Sequence, residues 1–209
     1  MVKAKDNGSI MSGVSKYRMS FSVGGMLLNE SLMIAQAYQP GESWASARER
    51  LLAQGASSLP KLASQTRALR EVYDRIGHLS DAERHYLLAE ADRAEQQAMM
   101  WLAICRTYRF VYEFAVEVIN ERYQSWRLDL GHEAFDRFLT EKAECDPNLS
   151  ELSSSTCAKL RQVLFRILRE SGLRSVGGRI QPIWLSGRMK RLIEESNPAD
   201  LQIFPGDGG

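Results

Sequence analysis

The chain has 209 residues, of which 44% are hydrophobic and 25% are charged, and these proportions are close to those of an average soluble globular protein. They exclude a wholly disordered chain, and the length allows one domain or two small lobes around a sizeable core. The net charge of +1 excludes a polycation, so any basic surface must be local.

The first third of the sequence predicts a polar tail followed by short helices. Residues 1–15 are small, polar and aperiodic, which is typical of a flexible terminus. Capping and breaking residues then outline three helices, one capped by Asn29 and running through Tyr38, one capped by Ser43 and closed by Gly55, and one from Pro60 to about Ile76.

The middle of the sequence predicts a long central helix. Ser80 and Glu83 have the capping-box spacing, in which each side chain accepts a backbone N–H that the first helical turn leaves free. Apolar residues then recur about every 3.6 positions, and no glycine or proline occurs between Gly77 and Gly131. We therefore expect one helix from Ser80 onward, kinked or broken near Arg109.

The last third predicts further helices around one extended segment. Serines at 153–155 are suited to capping a helix that Gly172 ends, and glycines and β-favouring residues at 174–185 predict an extended segment or small hairpin. The remaining predicted elements are a short helix between Gly131 and Cys145, a helix over 186–196 and a final turn from Asn197. The fold class is therefore all-α, mainly a helical bundle, with a lobe of residues 16–150 and a smaller basic lobe of residues 151–209.

The sequence also predicts a cytoplasmic protein that does not enter a membrane. Its three cysteines have no CxxC spacing, and the residues after Met1 lack the apolar stretch of a secretory signal. The most apolar window, 98–119, contains Arg106, Arg109, Glu113 and Glu117. Each charge would cost about 2.5–3.5 kcal/mol at the centre of a bilayer, so this window is interpreted as a buried helix.

Basic residues are concentrated near the C-terminus. Residues 71–154 hold nine Lys or Arg against seventeen Asp or Glu, whereas residues 155–191 hold nine against Glu170 alone. The basic nine are Lys159, Arg161, Arg166, Arg169, Arg174, Arg179, Arg188, Lys190 and Arg191. On the 155–171 helix, Lys159, Arg166 and Arg169 lie opposite the leucine stripe and Arg161 lies on its flank. Exposed guanidinium groups suit phosphate oxygens.

These nine residues, helped by Lys61, Arg67 and Arg70, are the candidate DNA-binding residues. The alternative is that they form ordinary solvated helix faces, some of them paired with the acidic 71–154 section. Charge arithmetic alone leaves both interpretations open.

No catalytic, metal or nucleotide-binding pattern is present in the sequence. The three histidines and three cysteines lack the paired spacing of a zinc site, and there is no Walker loop or GxGxxG. Glu113, Glu117 and Glu121 repeat every four residues without the Glu-x-x-His motif of di-metal bundles, so they are interpreted as a solvated stripe. The sequence therefore predicts a protein that is not an enzyme and uses no cofactor.

Aromatic residues could contribute to nucleic-acid binding only if they were exposed beside positive charge. The densest group is Trp101, Tyr108, Phe110, Tyr112 and Phe114, with Arg109 among them. Their helical spacing favours packing in the core.

Several separated segments, in the same order, resemble the BrxA family of BREX bacteriophage-defence systems. The resemblance covers roughly residues 16–205 and is carried by Tyr17 to Gly25, Trp101 to Phe110, Phe114 to Val118, Ser155 and Thr156, Lys159 to Arg166, Leu168 to Glu170, Pro198 to Leu201, and Phe204 and Pro205. It implies a small, mainly helical, non-enzymatic component of a defence locus, related in fold to the NusB type of RNA-binding factor and able to bind DNA.

Three functions are therefore consistent with the sequence. The first is binding of duplex DNA, mainly through its phosphates. The second is a scaffold that docks onto other BREX defence proteins through the acidic middle section or exposed aromatic residues. The third is RNA binding in the manner of NusB-type factors.

Overall fold

The fold is mainly helical in the part of the chain that the computed structural model describes, residues 16–22, 24–53 and 66–206. Its α-helices are α1 (Leu28–Ala37), α2 (Trp44–Ala53), α3 (Thr66–Gly77), α4 (Asp81–Ala89), α5 (Arg93–Thr107), α6 (Arg109–Phe114), α7 (Glu121–Gln124), α8 (His132–Ala143), α9 (Pro147–Ser150), α10 (Ser154–Glu170) and α11 (Gly187–Ser196). A π-helix, Ala115–Asn120, joins α6 to α7, and a 3-10 helix, Pro198–Ile203, follows α11. The predicted all-α class is confirmed.

The extended segment predicted near residues 174–185 is also confirmed, as a small hairpin followed by irregular extended chain. Arg174 and Ile180 form an isolated antiparallel bridge, and Arg179 forms a second one with Asp129, in the loop before α8. Gly178 turns the hairpin with a φ of +84°, a conformation that favours a residue without a Cβ.

Helix α5 lies at the centre of the core. Its residues from Ala98 to Cys105 are at most 2% exposed, because α1, α3, α4, α6 and the 3-10 helix pack around it. The indole of Trp101 is fully buried, and its Nε1 donates a hydrogen bond to the Ile203 carbonyl at 3.1 Å. The C-terminal 3-10 helix is thereby fixed against the central helix.

One cluster of buried apolar side chains extends from Tyr17 to Phe204 and includes residues on both sides of position 150. The division into lobes of residues 16–150 and 151–209 stays a prediction. The predicted tail, residues 1–15, and the beginning of the predicted third helix at Pro60 lie outside the described residues.

Two details of the predicted helices were wrong. Asn29 does not cap α1, which begins after Leu27, and its Oδ1 instead accepts a hydrogen bond from Arg93 at 3.1 Å. The long helix from Ser80 is interrupted at Glu90–Asp92, where Asp92 and Glu95 form a second capping box and start α5. The predicted capping box at Ser80 and Glu83 and the break near Arg109 are both observed.

The membrane-length window 98–119 is divided among α5, α6 and the π-helix. None of the helices in the described ranges is long and apolar enough to span a bilayer. Trp101, Tyr108, Phe110 and Phe114 are completely buried, as the helical spacing predicted.

Candidate nucleic-acid interface

Helix α10 separates apolar from basic side chains, and this separation creates the candidate site. The Ser153 Oγ caps the helix by accepting the Thr156 N–H at 3.2 Å. Its apolar stripe is at most 2% exposed and consists of Leu160, Val163, Leu164, Ile167 and Leu168. Lys159, Arg166 and Arg169 are exposed on the other side, as the sequence predicted.

Four of the predicted arginines line one cleft beside α10. The cleft has a volume of about 250 Å³, and we call it the arginine cleft. Its lining residues are His132, Ala158, Arg161, Gln162, Phe165, Arg166, Arg169 and Arg174. Guanidinium groups from α10 and from the hairpin therefore converge on one concave surface, which is suited to oxyanions such as phosphate.

Arg174 is positioned by two contacts, and by the room that a glycine leaves, which no helical wheel could show. Its Nε donates to the Leu130 carbonyl at 2.9 Å, and its guanidinium lies 5.0 Å from the centre of the Phe165 ring. A Cβ at Gly178 would lie 3.0 Å from its Nη2, so the glycine leaves room for this side chain. The hairpin thus holds Arg174 against the α10 face.

Two arginines of the cleft are neutralised in part by carboxylates. Arg161 Nη1 lies 2.8 Å from Oδ1 and 2.5 Å from Oδ2 of Asp136 on α8. Arg166 Nε donates to Glu170 Oε1 at 2.6 Å, and the other oxygen of Glu170 accepts the Met26 N–H. The cleft therefore carries less free positive charge than its four arginines suggest.

Arg169 differs from these two residues because it is exposed and makes no ion pair with any described residue. It lies one helical turn from Phe165, on the same face of α10. A phosphate in the arginine cleft could therefore bind the Arg169 guanidinium without displacing a carboxylate of the described residues.

The structure places the other predicted residues outside the arginine cleft. Lys159 donates to Gln162 at 3.3 Å, and Arg179 follows the turn of the hairpin. Arg188, Lys190 and Arg191 lie on α11, which packs against α4, and Arg188 is 3.5 Å from the Glu90 carboxylate. Arg67 and Arg70 are exposed on α3, whereas Lys61 lies outside the described residues.

Reasoning from the sequence missed three features of the cleft, the contributions of His132, Gln162 and Asp136. His132 is exposed at the first position of α8, and its ring packs edge-on against Phe165 with centroids 4.7 Å apart. The only sequence signal was its place after Gly131 at the predicted start of a helix. The pairing of Asp136 with Arg161, 25 residues away, had no local signal, although it agrees with the alternative interpretation that some basic residues pair with the acidic 71–154 section.

The described residues contain no group of three or more His, Cys, Asp or Glu side chains that could hold a metal ion. The three cysteines are free, and burial raises the pKa of the Cys105 thiol well above its ordinary value. The lining of the arginine cleft offers hydrogen-bond donors and positive charge.

Comparison with known proteins identifies a family and similar proteins. The family model described as BrxA matches residues 15–197, a range that includes every residue of the arginine cleft. A BREX protein BrxA of Escherichia coli O9:H4 (strain HS) is 24% identical over 117 residues, which are 55% of each chain. The alignment thus spans about half the length of that curated relative.

A crystal structure of an uncharacterized protein from Magnetospirillum magneticum has the same fold. It superposes with a TM-score of 0.78 over 91% of this chain and 99% of the other, at 19% sequence identity. This similarity establishes the architecture and carries no information about activity.

Proposed function

Because this chain belongs to the BrxA family, we propose that it serves a BREX bacteriophage-defence system as a non-enzymatic protein that binds duplex DNA through the arginine cleft. The single observation that supports this most is the convergence of Arg161, Arg166, Arg169 and Arg174 on one cleft. Binding would be mainly to phosphates, with little dependence on base sequence.

The cleft fits phosphate contacts better than readout of bases. Its arginines lie on a helix and on a bridged hairpin. Two of them already form ion pairs with carboxylates, which a phosphate could replace as the partner. Such contacts position a duplex without reading its sequence, and each one releases counterions. The affinity should therefore fall steeply as the salt concentration rises.

The test is a fluorescence-anisotropy titration of a blunt duplex with the parent protein and with R161E/R166E/R169E. We expect the variant to lose at least tenfold in affinity, because three positive charges become negative beside the phosphates. The control reverses Lys16, Arg48 and Arg137, exposed basic residues outside the arginine cleft, and circular dichroism checks that both variants fold. Equal binding by the parent and the cleft variant would refute the proposal.

A second candidate function is docking onto other BREX proteins, and one observation favours it. A cleft of about 500 Å³ lies between α5 and the extended chain after the hairpin, bordered by Pro182, Ile183, Leu185 and Trp184. The Trp184 side chain is 69% exposed. Docking instead of DNA binding would be supported by two results together. One is a complex with another BREX protein that persists in high salt and is lost in W184A, and the other is that the protein does not bind DNA at physiological salt.

RNA is the third candidate ligand, and it is favoured only by the resemblance to NusB-type factors. A phosphate-binding cleft does not by itself distinguish duplex DNA from RNA. The same titration with duplex DNA, single strands and structured RNA distinguishes these ligands.

The free cysteines are compatible with a cytoplasmic site of action.

A further inference from the structure

Trp126 is the most exposed tryptophan in the described part of the chain. Its side chain is 85% exposed, whereas Trp101 is fully buried and Trp44 packs against Tyr73 with ring centroids 5.4 Å apart. Trp184 is also exposed, but its ring lies against the backbone of Gly206, where a Cβ would be 3.3 Å from Cζ3. A single exposed apolar side chain is ordinary on a protein surface, so exposure alone does not assign a role to Trp126.

The backbone at Trp126 gives an independent indication. Its φ is +57°, and Leu27 is the only other non-glycine residue with a positive φ among the described positions. Trp126 N–H donates to the Tyr123 carbonyl at 3.0 Å and Arg127 N–H to the Arg122 carbonyl at 2.9 Å. These are the bonds of a helix end at which glycine is the usual residue.

A tryptophan in this left-handed conformation costs roughly 1–2 kcal/mol. Because the side chain is exposed, its packing contributes little free energy to offset that cost. Trp126 thus adopts an unfavourable backbone conformation, and its side chain does not pack in the core. Both properties fit a role in binding, since strained positions cluster at functional sites.

The loop that carries Trp126 is joined to the arginine cleft. Arg174 of the cleft donates to the Leu130 carbonyl at 2.9 Å, and Arg122 donates to the preceding carbonyl, that of Asp129, at 3.3 Å. Asp129 also forms the bridge with Arg179. Four residues of extended chain span at most about 14 Å, so Trp126 lies within that distance of Leu130.

The charges around Trp126 are mixed, and among the described residues the side chains without an ion pair include the exposed carboxylate of Asp129 as well as two guanidinium groups. Arg127 pairs with Glu121 at 2.5 Å. Arg122 and Arg179 make no ion pair with residues in the described ranges. A DNA strand that leaves the arginine cleft past Arg179 would therefore meet an exposed indole ring next to unpaired guanidinium groups.

We propose that Trp126 stacks on an unpaired nucleobase of DNA whose phosphates occupy the arginine cleft, so that the preferred ligand is duplex DNA with an adjoining single strand. Any base can stack on an indole, so the contact needs no sequence preference. Bases within an intact duplex are already stacked and would have to be separated first. The inference rests on the proposed function and adds the class of DNA to it.

The test compares three DNAs, a blunt duplex, the same duplex with a single-stranded extension, and the extension alone. The variant W126L keeps an apolar residue with a Cβ at the same backbone position, and W126F restores an aromatic ring. W184L is the matched control, because it removes the other exposed tryptophan. All proteins are checked by thermal unfolding before anisotropy titration.

We expect W126L to bind the extended duplex and the single strand roughly tenfold more weakly than the parent does, which is within the range for loss of one stacked base. Binding to the blunt duplex should change less than about twofold, W126F should recover most of the affinity, and W184L should match the parent. In addition, the single strand should quench the fluorescence of Trp126, measured as the difference between the emission of the parent and that of W126L.

Two outcomes overturn this inference. One is unchanged binding of all three DNAs by W126L, and the other is equal weakening on all three, which would place Trp126 against the duplex instead of an unpaired base. If R161E/R166E/R169E still loses duplex binding in either case, the proposed function stands without the stacking residue. If that triple variant binds as the parent does, both proposals fail.

Discussion

Arg161 on α10 and Asp136 on α8 form a two-oxygen ion pair at the edge of the arginine cleft, with Nη1 2.8 Å from Oδ1 and 2.5 Å from Oδ2. The side chains are 29% and 48% exposed, so water and salt can reach the pair. An incoming phosphate would compete with Asp136 for Arg161. The carboxylate therefore acts as an internal competitor for the proposed ligand.

Replacing Asp136 with asparagine should strengthen DNA binding. The D136N variant frees Arg161 and removes one negative charge, and we expect a gain of up to about fivefold, the value of an exposed ion pair. Anisotropy titrations at low and at physiological salt measure it, and the gain should shrink as salt rises. Glu144→Gln, at the other end of α8, removes the same charge as a control, and unchanged or weaker binding by D136N would contradict this role.

Replacing Trp126 with glycine should raise the free energy of unfolding although it deletes a large side chain. Glycine adopts a φ of +57° without steric cost, and the exposed indole contributes little packing. We expect a gain of about 0.5–1 kcal/mol after the extra flexibility of glycine in the unfolded chain is subtracted. Urea denaturation of W126G, W126A and the parent tests this, and a loss of stability in both variants would show that the indole packs.

Local signals predicted the helices well where one side chain decides a helix end. Ser80 and Glu83 form the predicted capping box, and Ser153 caps α10. Asp92 and Glu95 have the same spacing, but the apolar period continues on both sides and hides the interruption. Asn29 failed as a cap because the Leu27 carbonyl already accepts the Ser31 N–H, which places Asn29 inside the helix.

The candidate site could be predicted only in part. The period of α10 indicated which side of that helix is basic, and the structure agrees for Lys159, Arg166 and Arg169. The hairpin brings Arg174 to the same cleft through contacts with Leu130 and Phe165 that depend on tertiary structure. Tertiary contacts also decide that Arg188 lies beside Glu90 and outside the arginine cleft.

Glu113 should make stability depend on pH. Burial disfavours its charge, but hydrogen bonds from Lys142, Tyr17 and Arg109 outweigh burial and lower the pKa of the carboxyl. It is thus part of a bonded cluster, unlike the solvated stripe that the sequence indicated. The pKa of the Tyr17 hydroxyl is raised to about 12, first by burial and then by its bond to Glu113.

A lowered carboxyl pKa stabilises the fold above the ordinary pKa of about 4.3 and loses that effect as the pH falls through the folded value. At neutral pH we expect E113Q to be less stable than the parent by roughly 1–3 kcal/mol. The difference should shrink as the pH falls below about 4. Urea denaturation over a pH series measures it, and a gap that stays constant into acid would contradict the assignment.

Arg106 should be essential to the fold because it neutralises two buried carboxylates. Its guanidinium donates to Glu83 at 2.7 and 2.9 Å and to Asp200 at 2.7 Å, and the carboxylate side chains are 0% and 2% exposed. R106M would leave both unpaired, at a cost of about 3–5 kcal/mol. In the exposed pair Arg127–Glu121, R127M should cost less than about 1 kcal/mol, and equal losses in the two variants would refute this role for Arg106.

The salt dependence of duplex binding by R169A tests the arginine cleft most directly. Arg169 makes no ion pair with any residue in the described ranges, so its loss disturbs no internal contact, and Arg48→Ala on α2 removes the same charge elsewhere. If phosphates bind at this cleft, the plot of log affinity against log salt should be shallower by about one unit for R169A and parallel to that of the parent for R48A. A slope for R169A equal to that of the parent would contradict phosphate binding at this cleft.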